Sequence, residues 1–307
     1  MKSLRESLLE YLTIRRSLGF KLKRSEYELR RFIAFAEKRR RSFITIELAL
    51  LWANRSQVAK PVTRAKQLRI VRMFAQYMSV EDSRTQVPGL DLIPNPEQRR
   101  SIPYVYTGLE IRKLISATDR IEDPFRRYTY NTLFSLLSVT GMRIGEVLSL
   151  ERSDFNECEG FFVVRDSKFG KSREVMLHKS TVKALKKYAE KRDRNFKNLK
   201  TNAFFISRVK KPLIYENVNF TFIKMLGFAG LKTQKPNRPR LHDLRHTFAI
   251  RALIDCYKRG ENSEQRLYEL STYMGHSSPA NTYWYLTAVP ELLAEGVKCL
   301  EKVKRRT

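Results

Sequence analysis

Three short segments of the chain carry side chains that could do chemistry together: TGMRIGE (Thr140–Glu146), HDLRHTFA (His242–Ala249) and MGHSSPANTYWYL (Met274–Leu286). They supply arginines, histidines and tyrosines. Arginine offers a forked, permanently charged donor to a phosphate, and histidine exchanges protons near neutral pH. A tyrosine hydroxyl can attack phosphorus once its proton is removed. This set can hold one phosphodiester, neutralise its charge and attack it with a phenol, without a metal ion.

The charge of the chain indicates which phosphodiester this would be. Lysine and arginine number 60 among 307 residues, against 32 acidic residues, which gives a net charge of +28. Ribosome-associated proteins, proteins of anionic membrane surfaces and nucleic-acid enzymes can all be this basic. Here the cationic residues are spread along the whole chain rather than gathered in a tail. That distribution favours a folded protein that wraps DNA.

Cysteine usage and hydropathy predict the compartment. The cysteines, Cys158, Cys256 and Cys299, include no C-x-x-C pair, so we expect neither a disulfide framework nor a structural zinc site. The N-terminal MKSLRESLLEYL is charged throughout and lacks the apolar region of a signal peptide. No apolar run approaches the roughly 20 residues of a membrane span. We expect a soluble, cytoplasmic protein that does not use a membrane.

Two of the segments place cations beside helix starts. Arg143 follows a glycine that ends a buried helix, and both the free amides of the next helix and a guanidinium attract an anion. His242 and Arg245 stand three residues apart, so they share one helix face. His246 lies four residues from His242, but the zinc-protease pattern needs a Glu where Asp243 stands, and no third ligand is near. We therefore expect a packed, hydrogen-bonded His246 and no metal.

The histidines of the chain are unevenly distributed. Of the 4, three lie in these segments, His276 among them, and His178 ends a predicted strand and is interpreted as structural. Rare titratable residues gathered beside glycines and arginines indicate a functional site. Tyr283, Trp284 and Tyr285 follow in the third segment, and at least one of them should be buried packing. A phenol needs its proton removed, or a strongly activated phosphate, to act as a nucleophile.

The first 80 or so residues predict four helices with a cationic outer surface. Apolar residues of the second and fourth helices fall at helical spacing: Leu29, Phe32, Ile33 and Ala36, then Leu68, Val71 and Ala75. The third helix covers 46–53, with Trp52 as its largest core residue. The segment has no histidine, which favours a binding role. Four prolines in Val87–Tyr104 then predict an extended interdomain linker, whose Arg99 and Arg100 could track a phosphate backbone.

The remaining residues predict a mixed domain. A capping box, Thr107 with Glu110, starts one helix, and Asp123 starts a long apolar helix that ends near Gly141. Short β-type runs flank DSKFGKSR as in a hairpin, and a third short strand is expected; the three runs are 161–164, 174–177 and 204–206. Further helices are predicted at 181–191, 216–229, 242–257, 264–274 and 290–304. The expected fold is mainly α with a small antiparallel β-sheet.

In this order, the three segments resemble the tyrosine recombinase/integrase family of phage integrases, Xer-type resolvases and transposon integrases, over about residues 1–300. The resemblance implies a helical core-binding domain at 1–86, the proline-rich linker at 87–104 and an α+β catalytic domain at 105–307. Both domains would clamp a DNA duplex. Family members cleave and rejoin DNA through a covalent 3′-phosphotyrosyl intermediate, without metal, ATP or another cofactor, and act as homotetramers on two paired sites.

The resemblance also implies a role for individual residues. Arg143 and Arg245 match the arginines that hold the nonbridging oxygens of the scissile phosphate, and Glu146 matches the acidic residue that supports the first of them. His242 matches the histidine that helps to deprotonate the nucleophile. His276 matches the later His/Trp position, which donates a hydrogen bond to the phosphate.

The nucleophile and the general acid each have two candidates. Tyr285, nine residues after the last histidine, matches the family's nucleophile, with Tyr283 as the alternative. Lys168 in S-K-F-G-K-S-R matches the hairpin lysine that protonates the leaving 5′-oxygen. Lys171 is the alternative, because Phe169 stands where the family has a glycine.

The C-terminal part leaves further alternatives. Arg259–Leu270 lengthens the connection between the second and third segments and is interpreted as an inserted surface loop. The helix expected over Glu291–Lys304 could dock on a neighbouring subunit or pack on its own domain. Two other function classes are compatible with these residues: a type IB topoisomerase, which acts as a monomer, and a catalytically idle DNA-binding accessory protein. The wording of the motifs favours the recombinase.

Overall fold

The computed structural model of the chain describes residues 2–56, 58–94, 102–165, 172–231, 238–275 and Trp284. The chain divides into two compact units, Met1–Arg100 and Ser101–Thr307. Each unit has its own hydrophobic core, and the two are described in turn. Within the described residues, no helix has the length and apolar character of a membrane span.

The described residues of the first unit form four helices, as predicted: α1 (Leu4–Ser17), α2 (Lys23–Lys38), α3 (Ile46–Asn54) and α4 (Pro61–Glu81). Side-chain caps and a proline determine where three of these helices begin. Ser3 and Glu6 form a capping box at α1, and the Thr45 side chain accepts from the backbone of Leu48 at α3. Pro61 occupies the first position of α4, where no backbone donor is needed.

The predicted apolar stripes form the core of this unit. All seven stripe residues are buried, namely Leu29, Phe32, Ile33, Ala36, Leu68, Val71 and Ala75. Trp52 is buried among them, with its ring centroid 6.0 Å from that of Phe32 and 5.3 Å from that of Phe35. The predicted linker is described only at its ends: Ile93 is buried against this core, whereas Tyr104 packs against the core of the second unit.

The described helices of the second unit are α5 (Gly108–Ser116), α6 (Pro124–Thr140), α7 (Ile144–Ser149), α8 (Lys179–Asn195), α9 (Tyr215–Phe228), α10 (Asp243–Arg259) and α11 (Ser263–Tyr273). The capping box of Thr107 and Glu110 begins α5, and the Asp123 side chain caps α6, both as predicted. The terminal helix predicted at 290–304 lies outside the described residues. The expected fold class, mainly α with a small antiparallel sheet, is confirmed.

The sheet has three antiparallel strands in the order β1 (Phe155–Asn156), β2 (Phe161–Val164) and β3 (Arg173–Met176). The predicted hairpin pairs Phe162 with Val175. The predicted third strand at 204–206 is wrong, because that segment forms only an isolated bridge between Ile206 and Pro212. Its apolar run reflects burial in the core rather than pairing in the sheet.

Helix α6 runs through the core of the second unit and ends at Gly141, as predicted. Gly141 has φ +60°, and a Cβ there would lie 2.5 Å from the ring of Phe248 on α10. A side chain is therefore excluded both by the backbone conformation and by the neighbouring helix. This close approach fixes the turn after α6 against α10.

The helix predicted at 264–274 is confirmed as α11. The surface loop inferred within Arg259–Leu270 is therefore limited to the few residues between α10 and α11. Helix α11 packs against α10 through a small core that includes Leu253, Leu267 and Leu270, and its two leucines three residues apart provide the buried face of the helix.

Candidate active site

Arg143 lies in the turn between α6 and α7. Its backbone N–H donates to Oε2 of Glu146 over 2.9 Å, and its Nη1 donates to Oε1 over 2.7 Å. Its Nη2 donates to the carbonyl of Gly275 over 2.7 Å. The N–H of Arg143 is thus occupied, and the group that this residue can offer to an anion is the guanidinium, whose side chain is 28% exposed.

Arg245 lies in the first turn of α10, with only 3% of its surface exposed. Its Nη1 donates to the carbonyl of Gly141 over 2.7 Å and its Nη2 to the carbonyl of Met274 over 2.6 Å. Gly141 stands two residues before Arg143, and Met274 directly precedes Gly275. The structure therefore brings the two predicted arginines together on the same two backbone segments.

Glu146 is the shared acceptor of this cluster. Besides Arg143, it accepts a fork of two hydrogen bonds from Arg173, the first residue of β3: Nη1 to Oε1 over 3.0 Å and Nη2 to Oε2 over 2.8 Å. Nε of Arg173 donates to the carbonyl of Tyr273 over 2.8 Å. Such forked arginine–carboxylate pairs are among the strongest hydrogen-bonded contacts in proteins.

The ionisation of Glu146 follows from these contacts. Burial raises the pKa of its carboxyl, but hydrogen bonds from Arg173 and Arg143, with the charge of Arg173, lower the pKa more, to about 2. The carboxylate is therefore ionised at physiological pH. One negative charge lies between two guanidinium groups, so the cluster keeps a net positive charge.

Arg173, the last residue of S-K-F-G-K-S-R, was not among the residues predicted for the site. A signal was available in the strand that follows. Side chains two residues apart in a strand share a face, so Arg173 lies on the same face as Val175, which is fully buried. An arginine on the inward face of a strand must find a carboxylate or carbonyl partner.

His242 immediately precedes α10 and stands beside the arginines. Its pKa is lowered because desolvation disfavours the charged form and because Arg245, Arg143 and Arg240 repel a proton. Part of the residue reaches solvent, which weakens the first cause, but the three cations act in the same direction. His242 is therefore neutral at physiological pH, the form that can accept a proton.

His246 is packed between aromatic rings, as predicted. Its ring meets that of His242 edge to face at 4.7 Å and that of Trp284 at 5.7 Å. Trp284 also packs against the small core between α10 and α11, so one of the three consecutive aromatic residues is packing. The other predicted site residues, His276, Tyr283, Tyr285, Lys168 and Lys171, lie outside the described residues.

The segment that enters the second unit anchors α10. The backbone N–H of Tyr106 donates to Thr247 over 3.0 Å, and Arg251 donates to the carbonyl of Tyr106 over 2.7 Å. Asp243, fully buried in the first turn of α10, accepts from the backbone and side chain of Arg240. These contacts hold the start of α10, and with it His242 and Arg245. From its position in the motif, Asp243 was expected only to exclude a zinc site.

Residues outside the cluster have other roles. His178 caps α8, where its Nδ1 accepts from the backbone of Ser180 over 3.3 Å, consistent with its interpretation as structural. Of the described cysteines, Cys158 is exposed and Cys256 is buried. Among the described residues, no group of three or more His, Cys, Asp and Glu side chains is arranged to hold a metal ion.

Comparisons with known proteins cover most of the chain. The model of the phage integrase family matches residues 105–291. A putative integrase/recombinase of Sinorhizobium fredii, y4rB, is 38% identical, covering 98% of this chain and 98% of its own. The tyrosine recombinase XerD of Staphylococcus saprophyticus is 29% identical, covering 72% of this chain and 70% of its own.

Solved structures show the same fold. A lambda integrase tetramer bound to a Holliday junction matches with a TM-score of 0.58 at 19% identity, covering 91% of this chain and 79% of that one. Such a likeness concerns the fold alone. The family model spans more than half of the chain, and y4rB matches it over nearly its full length. The chain therefore belongs to the phage integrase family of tyrosine recombinases, as its three motifs predicted.

Proposed function

We propose that this recombinase cleaves and rejoins DNA strands through a covalent 3′-phosphotyrosyl intermediate, with Arg143 and Arg245 holding the scissile phosphate. The observation that carries the proposal is the convergence of these arginines. They come from segments about a hundred residues apart, yet they bind the carbonyls of consecutive residues, Met274 and Gly275. His242 stands at the same place with a lowered pKa.

The electrostatics of the cluster suit a phosphate whose charge increases during reaction. Phosphoryl transfer places negative charge on the nonbridging oxygens, and fixed cations in a partly buried site stabilise that charge without reorganising. The backbone contacts of Arg143 and Arg245 hold their guanidinium groups in place before DNA binds. The carboxylate of Glu146 offsets part of the positive charge, and its hydrogen bonds hold Arg143 and Arg173 together despite their mutual repulsion.

The chemical step can be written for these residues. The phenolate oxygen of Tyr285 bonds to phosphorus, and the bond from phosphorus to the 5′-oxygen breaks. His242 helps to remove the proton of Tyr285, Lys168 delivers a proton to the leaving 5′-oxygen, and His276 donates a hydrogen bond to the phosphate. Attack by a 5′-hydroxyl on the phosphotyrosyl bond reverses the step. Because that bond conserves the energy of the phosphodiester, rejoining needs neither ATP nor a metal ion.

The proposed partners are duplex DNA and further copies of the chain. A net charge of +28 suits a protein that neutralises many phosphates. We propose a homotetramer on two paired DNA sites, the assembly in which the lambda integrase above holds a Holliday junction. Two domains, 1–86 and 105–307, joined by a linker at 87–104, would clamp each duplex. With DNA as its substrate, the protein would act in the cytoplasm.

The test is covalent trapping on a nicked duplex. Footprinting on DNA that flanks the chain's own gene would locate the site, and a nick beside the cleavage point lets the short product diffuse away, so that the adduct accumulates. Wild-type protein and Tyr283→Phe should form the adduct, whereas Tyr285→Phe should bind DNA equally well and form none. An adduct in Tyr285→Phe would overturn the choice of nucleophile.

The same assay separates the alternative functions. No adduct with wild-type protein on its footprinted site would indicate the idle DNA-binding protein. An adduct without joining of two different duplexes, together with relaxation of supercoils by a monomer, would indicate the topoisomerase. An adduct followed by joining of two duplexes is the result expected of the recombinase.

A further inference from the structure

Three consecutive backbone carbonyls are each held by an arginine from a different part of the second unit. Nε of Arg173 donates to Tyr273 over 2.8 Å, and Nη2 of Arg245 donates to Met274 over 2.6 Å. Nη2 of Arg143 donates to Gly275 over 2.7 Å. The next residue in the sequence is His276. The backbone at the start of the third segment, directly before His276, is thus held by β3, α10 and the turn after α6.

The three arginines are not equivalent. Arg173 donates two N–H groups to Glu146 and a third, that of Nε, to the carbonyl of Tyr273. Its side chain is 14% exposed. Arg143 gives the described residues only two of the five N–H donors of its guanidinium, one to Glu146 and one to Gly275. Arg143 therefore retains more donors for a phosphate than Arg173, and its side chain is 28% exposed against 14% for Arg173.

The close packing of Gly275 supports this arrangement independently. Gly275 has φ +62°, and a Cβ built there would lie 3.0 Å from Nη1 of Arg173 and 3.4 Å from Nη1 of Arg143. Both guanidinium groups therefore lie against this glycine. A side chain there would be strained by the left-handed backbone, and its Cβ would require the guanidinium of Arg173 to shift by a few tenths of an ångström.

We propose that Arg173 is a positioning residue for strand cleavage: through Glu146 and the Tyr273 carbonyl, it fixes Arg143 and the backbone before His276 in one geometry. The inference rests on the proposed function, since it gives Arg143 a phosphate to hold. Arg173 also begins β3 and stands two residues after Lys171 in the sequence. It therefore links β3 to the first arginine and to the backbone before His276.

The geometry predicts that lysine cannot replace Arg173. An ammonium group is a single point, whereas the acceptors here are two carboxylate oxygens and a carbonyl, all engaged by one planar fork. Arg173→Lys keeps the positive charge beside Glu146 and loses the fork. If only the charge matters, Arg173→Lys should cleave DNA at the wild-type rate. If the position of the donors matters, Arg173→Lys should fold normally but cleave DNA slowly.

The experiment compares Arg173→Lys and Arg173→Met with wild-type protein on the nicked duplex. At saturating DNA, we expect the rate of adduct formation to fall by about 100-fold, the effect of a misplaced catalytic group. DNA affinity and melting temperature should change little in Arg173→Lys. The matched control is Arg165→Lys, an arginine just after β2 that pairs with buried Asp154 over 2.6 Å, away from the cluster. It should cleave at the wild-type rate.

A pH series adds a readout that a purely structural role would not change. In Arg173→Met, Glu146 loses hydrogen bonds and a charge that lower its pKa, while burial still raises it. The ratio of variant to wild-type cleavage rates should therefore fall as pH falls from about 8 to about 5, where carboxyl groups begin to protonate. The control Arg165→Lys should keep a constant ratio.

Each outcome decides the inference. Wild-type rates in both Arg173 variants would overturn it. The inference is also overturned if Arg173→Lys loses DNA affinity and melting temperature along with cleavage, because that result indicates a role in folding alone. If wild-type protein itself forms no adduct, the proposed function fails, whereas a wild-type adduct with unimpaired Arg173 variants overturns only this inference.

Discussion

Arginine is used in two different ways in the two units of the chain. In the helical bundle, arginines such as Arg30 form ion pairs with carboxylates on the surface, with 57% of the Arg30 side chain exposed. In the second unit, Arg245 is 3% exposed and is bound by backbone carbonyls. An exposed ion pair is screened by water, its side chains remain mobile, and it contributes little to stability. A buried arginine bound to backbone is fixed in position, and a catalytic electrostatic site requires fixed charges.

The comparison predicts the largest effect for Arg245. In Arg245→Lys, the carbonyls of Gly141 and Met274 lose a forked donor, and the positive charge that remains is no longer held in the position of the guanidinium. We expect adduct formation at saturating DNA to fall by about 10³-fold, at the upper end for removal of one stabilising donor. The rate on the nicked duplex measures this. A fall of less than about tenfold would mean that Arg245 only supports the fold.

Glu146→Gln should have the next largest effect, on stability as well as on cleavage. The pKa of Glu146 is lowered from 4.5 to about 2, which corresponds to about 3 kcal/mol of folding stability. Because the folded pKa is the lower one, this stability is present above about pH 4.5 and is lost as pH falls towards 2. Measured by urea unfolding across this range, the free energy of unfolding should fall more steeply with decreasing pH in wild type than in Glu146→Gln. Parallel curves would contradict the assignment.

Gly141→Ala tests whether the turn must approach α10. Its φ of +60° and the 2.5 Å approach of Phe248 both oppose a side chain. Gly260 provides the control, with φ +70° and open space around its Cβ position. We expect Gly260→Ala to cost about 1 kcal/mol, from the left-handed backbone alone, and Gly141→Ala to cost more and to slow cleavage. If Gly141→Ala and Gly260→Ala lose the same stability and cleave DNA at the same rate, the contact with Phe248 is unimportant.

The smallest effect is expected in the bundle. Arg30→Gln removes an exposed ion pair with Glu26, so the free energy of unfolding should change by about 0.5 kcal/mol or less. Cleavage at saturating DNA should be unchanged, because no group of the candidate site is touched. Urea unfolding and adduct formation measure both quantities. A cleavage defect that persists at saturating DNA would remove the distinction between the two uses of arginine.

Features set by local interactions could be predicted from the sequence. The stripe of Leu29, Phe32 and Ile33, the capping box at Thr107 and the stop at Gly141 each depend on residues within one or two helical turns, and the structure has all of them. The approach of Arg143 and Arg245 could be predicted only through the resemblance to a family, since they lie on separate segments.

Features that depend on long-range contacts could not be predicted. The pairing of Arg173 with Glu146 joins residues 27 positions apart, and a carbonyl acceptor such as that of Tyr273 has no signature, because every residue carries one. Strand β1 has only two residues, too few for an alternating pattern to appear. The proposed assignments of Lys168, His276 and Tyr285 remain predictions from the motifs.

The most direct test of the account uses a substrate whose scissile phosphate carries no charge, a single methylphosphonate at the cleavage point. If Arg143 and Arg245 serve to neutralise that phosphate, removing its charge removes the need for them. We expect the cleavage defect of Arg245→Met, which removes the positive charge, to be at least about tenfold smaller relative to wild type on this substrate than on the ordinary phosphodiester. An undiminished defect would contradict the claim that these arginines hold the scissile phosphate.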